Sequence, residues 1–88
     1  MDDKTILIQL EEMATRLGIK VRYESLKLEG SSHAGAFCRV DGQDIVIINK
    51  TATPREKIHI LIDAVKRHDL SEADILPSLR EILDKSDN

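Results

Sequence analysis

The feature that most constrains this chain is an alternating hairpin that leads directly into a capped helix. Residues 36–41 and 44–49 are rich in apolar residues, including β-branched ones, and are predicted to form the two strands of this hairpin. Asp41-Gly42 lies between them and tolerates the positive φ of a two-residue hairpin turn. The near-continuous apolar run 45–48 predicts that the second strand is covered on both faces.

The helix after this hairpin has a well-defined start. Thr53 and Glu56 have the spacing of a capping box, and Pro54 suits the first helical position, where its missing N–H removes no hydrogen bond. The helix is expected to end near 67–69, where basic residues complement the helix dipole. Its apolar stripe is formed by Ile58, Leu61, Ile62 and Val65.

The remaining segments complete an α+β domain with the order αβββαα. Apolar residues at helical spacing predict a helix at about 3–17, which Gly18 stops. Alternation of apolar and polar residues over 19–24 predicts a strand. The glycine- and serine-rich segment 30–35 is predicted to be a loop, and the segment after Pro77 is predicted to form a short last helix. We expect a three-stranded antiparallel sheet covered on one face by the first and the capped helices. The predicted core comprises Leu10, Leu17, Val21, Val40, Ile47, Leu61 and Val65.

Length and charge limit the possible partners. With 88 residues the chain is expected to form a single domain, 1–88, with one modest core. The net charge is −3, with 16 acidic and 13 basic residues interspersed, so no sustained positive field attracts a phosphate backbone. Tyr23 and Phe37 are the only aromatic rings, too few for stacking on single strands. Nucleic acid is therefore not an expected partner.

The sequence also predicts a cytoplasmic location. The longest apolar runs are far shorter than the roughly 20 residues that cross a bilayer, so no membrane partner is expected. Cys38 is the single cysteine and cannot form a disulfide within one chain. With no apolar leader at the N-terminus, this cysteine usage indicates a reducing compartment.

Four segments resemble the N-terminal part of ImmA/IrrE-type zinc metallopeptidases. They are Leu17–Leu26, Gly35–Val40, Ile47–Asn49 and Pro54–Ile58, and the resemblance covers roughly residues 6–68. It implies a zincin-like half-domain, in which a helix and a three-stranded sheet precede an active-site helix. In that family the helix carries His-Glu-x-x-His, whose imidazoles bind zinc while the glutamate polarises a water molecule.

This chain lacks that motif. One alignment places Ile62 and Lys66 at the ligand positions and Asp63 at the glutamate, whereas a shift by one residue gives Asp63, Ala64 and Arg67. Isoleucine has no lone pair, and a protonated lysine or arginine repels a cation. We therefore expect no tightly bound zinc, no cofactor and no peptide cleavage.

Three residues remain as candidates for a ligand site, namely His33, Cys38 and Asp63. His33 lies in the loop 30–35 and could pair with Cys38, although two ligands do not complete a zinc site. Cys38 shares a strand face with Ala36 and Val40, which predicts a small buried apolar side chain. Asp63 is the position where the family's carboxylate could persist in shortened form; its simpler interpretation is a helix-surface aspartate.

Two classes of function stay open. The favoured one is a non-catalytic interaction or regulatory module on a zincin-like scaffold without the metal site, with a protein partner or a homodimer. The alternative is an enzyme, small-ligand or metal-binding protein that uses the loop 30–35 with His33 and Cys38. One layer of helices covers one sheet face, so the apolar run 45–48 predicts association through the other face. The segment 76–83 folding across that face is the competing, monomeric arrangement.

Overall fold

The computed structural model describes residues 2–25, 35–70 and 75–85, which form an α+β fold. The predicted order αβββαα is confirmed. The elements are α1 (Asp3–Arg16), β1 (Lys20–Glu24), β2 (Gly35–Val40), β3 (Gln43–Asn49), α2 (Pro54–Val65) and α3 (Pro77–Lys85). None of the helices formed by these residues is long and apolar enough to cross a membrane.

Both ends of α1 are fixed by local chemistry. The Asp2 carboxylate accepts a hydrogen bond from the Thr5 N–H at 2.8 Å, which satisfies one of the unpaired donors of the first turn. At the other end Gly18 adopts a φ of +83°, and the Ile19 N–H donates to the Ala14 carbonyl at 2.9 Å. This Schellman closure reverses the chain into β1.

The capping box of α2 is present as the sequence predicts. The Thr53 hydroxyl accepts from the Glu56 N–H at 3.2 Å, and the Glu56 carboxylate accepts from the Thr53 N–H at 2.9 Å. Pro54 is the first helical residue, and the helix ends at Val65, slightly before the predicted end.

The predicted antiparallel sheet is wrong in one pairing. The sheet is mixed, with the order β1-β3-β2, because β3 pairs antiparallel with β2 and parallel with β1. Asp41 and Gly42 have φ values of +52° and +80°, so the tight turn fixes β2 beside β3. The alternation of apolar and polar residues within β1 does not indicate which strand pairs with it or in which direction. Placing β3 in the centre pairs the most apolar strand on both sides.

The core lies between the sheet and the helix layer formed by α1 and α2. Its fully buried large side chains are Leu10, Val46, Ile48, Leu61 and Val65. Three of the seven predicted core residues, Leu10, Leu61 and Val65, are therefore confirmed, and Leu17 and Val21 pack against this cluster while partly buried.

Two predicted core residues belong to the other sheet face. Val40 is 52% exposed, and Ile47 is half-buried, whereas Val46 and Ile48 point into the core. In a run of four apolar residues either alternate set can face the helices, and sequence alone does not decide which one does. The expectation that β3 is covered on both faces is wrong for the described part of the chain.

The last helix lies on the helix side of the sheet. Leu79 and Leu83 join the core cluster, and the Lys66 ammonium donates to the Leu83 carbonyl at 3.2 Å. The Arg80 guanidinium donates to the Leu70 carbonyl at 3.1 Å, which ties α3 to the segment after α2. The segment 76–83 therefore does not cover the other sheet face.

Candidate functional site

The sheet face that points away from the helices carries apolar side chains that the described helices leave uncovered. We call it the open face and define it by alternate residues of the three paired strands. Its members are Lys20, Arg22 and Glu24 of β1, Ala36, Cys38 and Val40 of β2, and Gln43, Ile45, Ile47 and Asn49 of β3. The open face is therefore apolar along β2 and in the middle of β3, polar at the two ends of β3, and charged along β1.

Register brings the apolar members of the open face side by side. Ile47 lies between Ala36 and Arg22, and Ile45 lies between Cys38 and Lys20. The isoleucines are half-buried, because their neighbours on the same face partly cover them. This surface offers a row of apolar side chains beside the charged strand β1.

The charges on β1 are partly compensated within the chain. The Arg22 guanidinium lies 2.6 Å from the Glu24 carboxylate, and the two side chains are 50% and 38% exposed, respectively. Such an exposed pair contributes little to stability. Lys20, at the other end of the strand, is exposed.

The three candidate ligand residues are not brought together in the described structure. Cys38 is on the open face beside Ile45 and is half-buried, so the expectation of a buried cysteine is wrong. The reason is that none of the helices in the described ranges lies over its face. Asp63 is exposed on α2. His33 and most of the loop 30–35 lie outside the described residues.

The residues that the metallopeptidase resemblance would align with the zinc motif lie in α2 and directly after it, and several of them make packing or polar contacts. Ile62 is 3% exposed and lies in the core, and Lys66 bonds to the Leu83 carbonyl of α3. Arg67 stacks over the Phe37 ring, with its guanidinium carbon 4.4 Å from the ring centroid. Within 2–25, 35–70 and 75–85, no three His, Cys, Asp or Glu side chains come close enough to hold a metal ion.

A second polar group surrounds Asp44, which sequence reasoning missed. The Asp44 carboxylate, only 7% exposed, accepts a hydrogen bond from Arg39 Nε at 2.7 Å. Its other oxygen lies 2.9 Å from His68 Nε2, at ion-pair distance when the imidazole is protonated. The Arg39 hydrogen bond is the main cause that lowers the pKa of Asp44, and the proximity of His68 acts in the same direction.

A signal for this pair was present in the sequence. A two-residue turn at 41–42 makes residues 39 and 44 direct cross-strand neighbours, and opposite charges at such positions attract each other. His68 could not be assigned in this way, because its approach to Asp44 depends on how α2 packs against the sheet.

A third polar contact lies between α1, β1 and α2. The Tyr23 hydroxyl donates a short hydrogen bond to the Glu11 carboxylate, and Lys57 Nζ lies 5.4 Å from the centroid of the Tyr23 ring. Burial raises the pKa of Tyr23, and the hydrogen bond to Glu11 raises it further. The phenol therefore stays protonated at neutral pH and acts as a donor that joins strand and helix.

Comparison with protein-family models, with curated proteins and with solved structures found no significant match to this chain.

Proposed function

We propose that the chain is a non-catalytic interaction module that associates with a second copy of itself through the open face. The observation that carries this proposal is that α3 packs on the helix side, so the described helices leave the apolar strips of β2 and β3 uncovered. The element order and the residues on α2 are compatible with a zincin-like scaffold that lacks the metal site, which we propose as its structural origin.

The charges along β1 favour a second copy as the occupant. Lys20 and Glu24 stand at opposite ends of the strand on this face, and Arg22, between them, is the register partner of Ile47. A two-fold axis perpendicular to the strands near Ile47 would place Lys20 of each copy opposite Glu24 of the other. It would also bring Ile47 against Ile47 and Arg22 against Arg22, where the ion pair of each Arg22 with its own Glu24 reduces the repulsion. An isologous interface requires this kind of self-complementarity.

The size of the face predicts weak association. Three strands about 4.8 Å apart and about 3.3 Å per residue give a face of roughly 14 Å by 23 Å, or about 300 Å². Stable complexes bury about 800 Å² per partner. We therefore expect a dissociation constant of roughly 0.1–1 mM, which suits a transient contact and not an obligate dimer.

Sedimentation equilibrium over about 10 μM to 1 mM tests the proposal, since a dissociation constant of roughly 0.1–1 mM gives a substantial dimer fraction at the top of this range. The wild-type mass is expected to rise from monomer toward dimer, and Val40→Lys should weaken association at least tenfold. Val40 is 52% exposed, so the substitution leaves the core intact. The matched control is Ile8→Lys, because Ile8 is 47% exposed but lies on α1, away from the open face.

Two results would contradict the proposal. One is a wild-type protein that stays monomeric at the highest concentration. The other is association that Ile8→Lys weakens as much as Val40→Lys, because the contact would then use a different surface. Thermal melting of both variants checks that neither has lost its fold.

A further inference from the structure

A cleft of about 380 Å³ lies where the hairpin meets the end of α2. Its lining residues are Phe37, Arg39, Asp44, Arg67 and His68. It is on the helix side of the sheet, because Arg39 and Asp44 share the side of Val46 by strand alternation. The cleft is therefore separate from the open face, and ligand binding there would be independent of the proposed self-association.

Two guanidinium groups line this cleft, and each is held in place by a different neighbour. Arg39 is oriented by the hydrogen bond from its Nε to Asp44. Arg67 is oriented by stacking at 4.4 Å on the Phe37 ring. Arginine side chains lose much rotamer freedom when they bind a ligand, so prior orientation lowers the cost of binding.

Both arginines keep unused donors. A guanidinium carries five N–H groups, and the contact with Asp44 occupies the Nε of Arg39. The Arg67 contact is with the face of a ring and leaves its N–H edge available. Among residues 2–25, 35–70 and 75–85, neither terminal guanidinium group has a further hydrogen-bonding partner.

The local charge is opposite in sign to that of the whole protein. Two guanidinium groups and the His68 imidazole face one carboxylate, whereas the chain carries a net charge of −3. Asp44 neutralises one of the two positive charges and is only 7% exposed, so its main effect is to orient Arg39. A positive concave site concentrates anions even on an acidic protein.

We propose that this cleft binds a small oxyanion, a phosphate or carboxylate group, between the guanidinium groups of Arg39 and Arg67. The planar fork of a guanidinium matches two oxygens of either group, and charge-assisted hydrogen bonds are the stronger kind. Phe37 then serves as the platform that keeps Arg67 over the cleft. In the simpler explanation Arg67 and His68 only offset the dipole at the end of α2 and Arg39 only pairs with Asp44, which predicts no saturable binding.

Titration followed by ¹H–¹⁵N NMR, including the arginine Nε–H signals, tests this directly. Inorganic phosphate and succinate are added separately to the full chain at constant ionic strength, set with chloride. We expect saturable shifts of the Arg39 and Arg67 side-chain signals, and the anion that binds more tightly identifies the oxyanion class. Arg39→Gln and Arg67→Gln should each weaken binding about tenfold or more, since each removes one charged fork.

The matched control is Arg55→Gln, because Arg55 is 77% exposed and its contact is a distant ion pair with Asp3 at 3.8 Å. This variant should bind like wild type. Non-saturating shifts with both anions, or equal weakening by Arg55→Gln and Arg67→Gln, would show only general screening and overturn the proposal. Should Arg39→Gln disturb folding through Asp44, Arg67→Gln still decides, since Arg67 is exposed and its substitution leaves the Asp44 pair intact.

Discussion

Replacing Gly35 by alanine tests how tightly the edge of the sheet approaches α2. A Cβ atom at this position would lie 2.5 Å from the Ile47 carbonyl oxygen, 2.9 Å from Ile60 Cδ1 and 3.4 Å from the Ile48 Cα. Gly35 is also the first residue of β2 and pairs with Ile48. The contact with the carbonyl oxygen is the critical one, because a backbone atom in the ladder cannot move without disturbing the pairing.

The expected cost is set by two opposing effects. Gly→Ala reduces the freedom of the unfolded chain, which by itself stabilises by about 0.4–1 kcal/mol. Overpacking against atoms that cannot move typically costs about 1–3 kcal/mol. The steric effect is the larger, so we expect Gly35→Ala to lower the free energy of unfolding by about 1–2 kcal/mol. In a domain of this size each kcal/mol corresponds to a fall in Tm of about 4–8 °C.

Urea denaturation measures this difference directly, with the slope m reporting whether the folded state keeps its compactness. The double variant Gly35→Ala/Ile60→Val separates the two contacts, because shortening Ile60 relieves only the side-chain clash. We expect it to recover little of the loss attributable to Gly35→Ala. A Gly35→Ala protein as stable as wild type, or more stable, would refute the close approach of β2, β3 and α2 on which the reasoning rests.

Three further predictions concern other parts of the fold. The folded structure lowers the pKa of Asp44 from its usual 3.8, so the ionised carboxylate stabilises the fold above that value and this stabilisation is lost as the pH falls through the folded-state pKa. The urea midpoint of the wild-type protein should therefore drop between about pH 5 and pH 2. The midpoint of Asp44→Asn should drop less. Equal acid sensitivity of the two proteins would contradict this. Thr53→Ala removes one half of the capping box and should lower the free energy of unfolding by about 1 kcal/mol, measured as a lower Tm in a thermal melt. An unchanged Tm would show that the cap does not stabilise α2. Leu79→Ala should lower the free energy of unfolding by about 2–5 kcal/mol, because Leu79 is 4% exposed and packs in the core. Leu76→Ala should be nearly neutral, because Leu76 is 55% exposed. Equal effects of the two substitutions would argue against the docking of α3 on the core.

The helices and strands of this fold were predictable where the local backbone conformation or hydrogen bonding requires a particular type of residue. Gly18 and Gly42 occupy positive φ, and Thr53 with Glu56 closes the capping box, so helix and strand boundaries follow from the sequence. These signals act over a few residues. They do not depend on where the rest of the chain lies.

Strand order and side-chain orientation were not predictable in the same way. The run 45–48 is apolar at every position, so alternation does not tell whether Val46 or Ile47 faces the helices. The parallel neighbour of β3 is fixed by packing that joins distant parts of the chain. The same holds for the candidate sites: Arg39–Asp44 can be inferred from the turn, but the approach of His68 and Arg67 to that pair depends on the docking of α2.

The central position of β3 has a consequence for amide hydrogen exchange. The backbone N–H and C=O groups of β3 form hydrogen bonds alternately with β1 and with β2, so exposing an amide requires that β3 separate from one of these strands. At Val46 and Ile48 the buried side chains must also leave the core. Within the described residues, each edge strand pairs with β3 alone and can separate from it without breaking a second ladder. The hairpin partner is close in sequence and re-forms quickly, whereas the parallel partner must return from a distant part of the chain. Amide protons of β3 that are bonded to β2 should therefore exchange with solvent more slowly than those that are bonded to β1.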